Sequence, residues 1–144
     1  CMADVRIASD KAKFGVTFLK LGIIPGDGGA WLLPRIIGSA RAAQLLFTGD
    51  VIDAETALDW GLISEVHAPE ALMDSAMALA ERMAVQPPQA LRLAKTLLRH
   101  GQTASYDTIM ELSAASQALM HETEDHMEGV HAILEKRAPK FEGK

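Results

Sequence analysis

From Pro69 onward, apolar and small residues recur at helical spacing: Leu72, Ala76, Leu79 and Met83; then Leu91, Ala94 and Leu98; then Ile109, Leu112, Ser116 and Leu119; then Met127, Val130 and Leu134. Positions three and four apart share one face of an α-helix, so each series predicts a helix with one apolar stripe. Breaks fall at Gln86-Pro87-Pro88, at Gly101–Ser105 and at Glu122-Thr123. The pattern before Pro69 is different. Asp4–Ile7, Ala12–Gly15 and Leu62–Val66 are short apolar runs that read as strands. A helix is expected to start near Gly29, with Pro34 bending or interrupting it about a turn in. Gly38-Ser39 predicts a break with an N-cap, Ala40–Phe47 a short helix closed by Gly49, and Asp53 the cap of Ala54–Asp59, which Gly61 ends. The order is a mixed α/β piece followed by four helices, with no internal repeat.

Composition narrows the class. The chain has 144 residues, enough for one core, and 49% are hydrophobic while only 5% are aromatic, which suits helices packed on Ala, Leu, Ile and Met better than a β-sandwich. Net charge is -5 with both signs interspersed, so electrostatics give no reason to expect nucleic acid or an anionic membrane as partner. One cysteine excludes an internal disulfide and fits a reducing compartment; with no apolar run of transmembrane length and no signal-peptide pattern, the expected location is cytoplasmic. Met73, Met77, Met110, Met120 and Ile133 lie off the main helical stripes and suit either core filling or a subunit interface.

The densest cluster of special residues is Ile23-Ile24-Pro25-Gly26-Asp27-Gly28-Gly29, which reads as a turn. Pro25 presets its own φ, Gly26 is expected to take the positive φ of such a turn, and Gly28-Gly29 allow close approach to bare backbone. The peptide N–H groups that follow should be unpaired and favour negative charge. Asp27 stands where it either caps the helix or projects into a cleft. Trp31, one turn on, either floors a pocket or packs under the loop.

Other chemistries fail on spacing. His121 and His126 are five apart, so on a continuous helix they diverge by roughly 140°, and a break near Thr123 is expected to worsen this; no metal site is expected. His67, His100 and His131 are isolated in sequence. No Gly-Lys-Ser/Thr follows the glycine loop, which excludes a P-loop, and Gly26-x-Gly28-Gly29 lacks the context of a dinucleotide fingerprint.

The motifs together resemble the enoyl-CoA hydratase/isomerase, or crotonase, superfamily. The resemblance rests on Phe14-Gly15, Leu21-Gly22-Ile23-Ile24-Pro25-Gly26-x-Gly28-Gly29, Leu33-Pro34-Arg35-x-x-Gly38, Leu45–Gly49, Ala54–Ala57 with Gly61–Val66, Pro87–Lys95, and Glu124-Asp125 with Glu128-Gly129-Val130 and Leu134–Arg137-x-Pro139-x-Phe141. It covers nearly the whole chain. It implies an α/β, crotonase (ClpP-like) fold, with residues 1–66 as the end of the spiral β/α core including the glycine-rich loop, and 67–144 as a helical region for trimerisation and site cover. The chain opens without an initiator methionine and with a strand already under way, so it is expected to be the C-terminal portion of a longer protein and inactive alone.

The resemblance further implies a coenzyme A thioester as substrate, no separate cofactor, and two backbone N–H donors stabilising an enolate, supplied upstream of these residues. It implies a homo-trimer or dimer of trimers. Phe18 stands where hydratases of the family carry a catalytic glutamate, and phenylalanine moves no proton, which puts hydratase activity in doubt. Other branches place an aspartate in the glycine loop, aligned with Gly26 or just before it; Asp27 is displaced by one or two positions and is a candidate acid/base. Phe18, Pro25, Gly26, Gly28 and Trp31 are expected at the acyl-CoA site, joined by Lys136 and Phe141, with Lys140, from the segment that closes the sequence. Double-bond isomerisation or hydration is one expectation, a non-catalytic CoA-binding or assembly module of the same fold the other. The acyl group stays open.

Overall fold

The computed structural model describes residues 1–144. Its elements are β1 (Ile7–Ser9), β2 (Lys13–Gly15), a 3-10 turn (Phe18–Leu21), α1 (Gly29–Ile37), α2 (Ser39–Thr48), β3 (Val51–Asp53), α3 (Ala54–Asp59), β4 (Glu65–His67), α4 (Leu72–Ala84), α5 (Pro88–His100), α6 (Tyr106–His121) and α7 (Glu124–Glu135). The chain divides into two compact units, Cys1–Ala78 and Leu79–Lys144, and the division falls inside α4 rather than at residue 66.

The first unit is α/β. β1 pairs with β4 in parallel, Ala8 opposite Val66, and β2 pairs with β3 antiparallel, Phe14 opposite Ile52. α1 lies against α2, and the core gathers Ala8, Leu33, Ile37, Ala42, Ala54, Ala57, Leu62 and Ile63. Three of these are alanines at most 1% exposed, so backbones approach closely and the unit is held by small side chains rather than rings. Asp53 caps α3 as expected, its Oδ1 accepting from Thr56 N–H at 2.9 Å, and Gly49 closes α2 at φ 63°. The Thr56 hydrogen bonds hold the Asp53 carboxyl below the usual carboxylate range.

Several expectations are corrected. β1 starts at Ile7, because Arg6 turns the preceding residues: its Nη1 donates to Ala3 O at 2.8 Å, its Nε to Leu62 O at 2.6 Å. Leu62 and Ile63 are not strand. Their N–H groups donate to Ala57 O at 2.9 and 3.4 Å, which closes α3 and delays β4 to Glu65. Pro34 does not interrupt α1, which runs on to Ile37, since the missing N–H removes only one ladder bond. The N-cap before α2 is Gly38, not Ser39. Strand β3 lacked an alternating signal and exists through its pairing with β2.

The second unit contains α5, α6 and α7, at the expected places. Pro88 occupies the first position of α5, where its missing N–H costs nothing. Ser105 caps α6 through Thr108 N–H (3.2 Å), and Thr123 caps α7 through His126 N–H (3.2 Å). In this unit the buried residues are Ser116, Asp125 and Ala132. Many large apolar side chains stay open, among them Leu98, Leu119, Ile133 and Leu134.

Candidate functional site

The loop before α1 organises a cleft of about 400 Å³ in the first unit, with Arg6, Lys13, Phe14, Asp27, Leu33 and Leu45 in its wall. Gly28, not Gly26, takes the left-handed conformation, at φ 86°, and serves as N-cap of α1. Gly26 is outside that region and faces open space. The group that approaches Gly29 is the neighbouring carboxylate: a Cβ there would stand 3.0 Å from Asp27 Oδ1, which accepts Gly29 N–H at 2.9 Å. Trp31 and Leu32 N–H groups donate to Gly28 O, each at 3.0 Å. The row of open N–H donors expected at this end therefore shrinks to that of Ala30. Asp27 is at once a local cap and a cleft residue: one oxygen holds the loop, and the other has no protein partner.

Of the residues assigned to the site from sequence, Asp27 alone lines this cleft. Phe18 opens the 3-10 turn and is half-buried, as is Pro25. Trp31 is 49% exposed with the Arg35 guanidinium 3.8 Å above its ring, so neither flooring of the cleft nor burial under the loop describes it. Lys136 and Phe141 belong to the second unit. Lys136 ends α7 in the left-handed conformation, and Phe141 lies against Gly129.

Four basic residues close the sequence, and the structure sorts them. Arg137 is occupied, its Nη2 bonding Glu128 Oε2 at 2.8 Å and its Nε bonding Glu135 at 2.7 Å. Lys144 pairs with Glu142 at 2.7 Å. Of these four, Lys136 and Lys140 carry no such pair.

Glu128 also accepts Lys140 N–H at 2.7 Å, and Arg137 together with that N–H lowers its carboxyl from 4.5 to about 2. A depressed pKa means stabilisation that is complete above about pH 4.5 and is lost as pH falls through about 2. A Glu128 carboxyl titration followed by NMR is expected to show its midpoint near 2, with Lys140 N–H protection disappearing over the same range. A midpoint near 4.5 would mean that the pair does not form in solution.

Sequence reasoning missed three groupings. Glu65 Oε2, His67 Nε2, His67 Nδ1 and Ser75 Oγ form a hydrogen-bonded chain with steps of 2.8 and 3.1 Å, so His67 is not isolated. The break at Glu122-Thr123 brings His121 and His126 together, with Nδ1 and Nε2 3.1 Å apart, because it folds α7 back instead of continuing the helical rotation. No third His, Cys, Asp or Glu joins them in a metal-binding group. Asp125, recognised only as part of a motif, is buried against the backbone of Glu142 and Gly143.

The family model for enoyl-CoA hydratase/isomerase matches residues 1–144. This chain belongs to that family. It is 44% identical over 141 residues to the 1,2-epoxyphenylacetyl-CoA isomerase of Escherichia coli, covering 98% of this chain and 54% of that protein. To the crotonyl-CoA hydratase of Syntrophomonas wolfei it is 41% identical, covering 96% and 53%. Among solved structures, the enoyl-CoA hydratase from Bacillus anthracis superposes with a TM-score of 0.95 at 38% identity, over 98% of this chain and 55% of that one. The crotonase fold inferred from the motifs is thereby established. The chain spans about half the length of the curated relatives it matches. One expectation is corrected here: the matched share is a length and names no terminus, so assignment of the chain to a C-terminal portion is withdrawn. No helix is long and apolar enough to cross a membrane.

Proposed function

We propose that the chain forms part of an enzyme that binds acyl-CoA and stabilises a thioester enolate, shifting a double bond rather than adding water. The observation that carries this reading is Asp27, with one oxygen pinned by Gly29 N–H and the other unpartnered, on the wall of the cleft. Such a carboxylate is oriented yet free to take a proton from the carbon next to the thioester carbonyl (C2) and return it at C4 of the resulting dienolate, which moves a 3,4 double bond to the 2,3 position. Phe18 argues against hydration, since it offers no second acid or base. The 44% identical relative is named an isomerase of an epoxide and the 41% identical relatives are named hydratases, so their names support acyl-CoA chemistry without choosing between the two reactions. Pro25, Gly26, Gly28 and Trp31 shape the loop around Asp27, and Lys136, Lys140 and Phe141 suit the phosphates and adenine of coenzyme A by charge pairing and stacking. No separate cofactor is needed. Exposed Met73, Met77, Met110 and Ile133 support a homo-trimer or dimer of trimers, and the single cysteine supports a cytoplasmic setting.

Phe18 also favours a second reading, a CoA-binding or assembly module without turnover. Incubation of the whole protein with 2-enoyl- and 3-enoyl-CoA thioesters separates the two. Double-bond migration exceeding hydration is the expected result. Thermal stabilisation by CoA without turnover selects the module, and absence of both discards acyl-CoA binding.

A further inference from the structure

Asp125 is the only charged side chain buried in the molecule, at 5% exposure. Burying a carboxylate is costly unless its oxygens are satisfied, and here both are satisfied by backbone: Oδ1 accepts Glu142 N–H at 2.7 Å and Oδ2 accepts Gly143 N–H at 2.9 Å. Asp125 N–H in turn donates to Lys144 O at 3.3 Å. From α5, Gln89 Nε2 donates to Gly143 O at 2.7 Å. Gly143 sits at φ 78°, a conformation that residues with a side chain rarely adopt, so the clamp favours glycine there. Glu128, one turn along α7, holds Lys140 N–H.

Every one of these bonds grips main chain, and none uses the side chain of Lys140 or Phe141. Phe141 is therefore anchored by its neighbours on both sides, with its ring over Gly129, where a Cβ would stand 3.6 Å away. Residues 138–144 have no regular secondary structure, and the one side-chain bond within them, Lys144 to Glu142, does not tie them to the rest of the unit. A segment fixed by its backbone with its cation left free is organised for presentation. We propose that Asp125 is a positioning residue, whose buried carboxylate fixes residues 140–143 so that Lys140 and Phe141 meet the nucleotide end of an acyl-CoA ligand. This rests on the acyl-CoA reading above.

The test is Asp125→Asn in the whole protein, with and without deletion of residues 139–144. The asparagine amide turns a donor toward one of the two N–H groups, so the segment loosens. KM for acyl-CoA is expected to rise roughly tenfold, several times more than kcat falls, as lost preorganisation demands. Trypsin should cleave after Lys140 faster. Once residues 139–144 are deleted, Asp125→Asn should add nothing to KM. Gln89→Ala, which spares the buried carboxylate, should act in the same direction more weakly and serves if Asp125→Asn does not fold. Unchanged KM in both point variants, or an undiminished effect of Asp125→Asn in the deleted background, overturns the proposal. A deletion that leaves KM unchanged in a protein that still turns over acyl-CoA sinks the positioning role alone. A whole protein that neither binds nor converts acyl-CoA sinks both.

Discussion

Asp27→Asn in the whole protein should lower kcat for acyl-CoA isomerisation by about 10²–10⁴-fold, the usual contribution of a positioned acid or base, while the melting temperature stays nearly unchanged. The separation follows from the two oxygens. Asparagine keeps one carbonyl oxygen, which can still accept Gly29 N–H and hold the loop at the start of α1. It loses the basic oxygen that has no protein partner. Asp27→Ala should lose both, so turnover and loop stability fall together. Unchanged turnover in the asparagine variant would leave Asp27 as a cap only. The resemblance sets the aspartate of related branches at Gly26 or just before it, and the displacement of Asp27 from there makes this the decisive substitution.

Leu45→Ala should destabilise the protein by roughly 2–5 kcal/mol, the span measured for buried leucine truncations. Leu45 is 2% exposed on α2, and its position in the wall of the cleft means that few atoms can relax into the space left behind. Urea unfolding of the whole protein measures it, and a shift in midpoint without a change in slope is the expected form. A cost below about 1 kcal/mol would mean that the cleft collapses onto the vacancy.

The helices were legible because each carries its own instructions. Leu91, Ala94 and Leu98 repeat on one face, Pro88 starts α5 and Thr123 starts α7. Asp53 and Gly49 were equally plain, since caps are local chemistry. The strands were not. Three residues, such as Val51–Asp53, are too few for alternation to register, and β3 exists only through a partner 38 residues earlier, Phe14 for Ile52. At the site, the loop's composition was readable but its conformation was not: Gly28 took the left-handed place expected of Gly26, because the cap of α1 falls there. His121 and His126 failed for a related reason, as helical rotation stops applying once the helix ends between them. The role of Asp125 was hidden because its partners are peptide groups, which have no signature in sequence.

Lys136 turns the chain out of α7 at φ 54° and ψ 42°, the only residue other than glycine with positive φ. Such a lysine forgoes roughly 1–2 kcal/mol that glycine would not. A stability-minded redesign would therefore erase it first, and with it one of the two cations within residues 136–144 that have no carboxylate beside them. The bend is a place where comfort and usefulness pull apart, so variants chosen for heat resistance are the wrong library in which to look for better ligand capture.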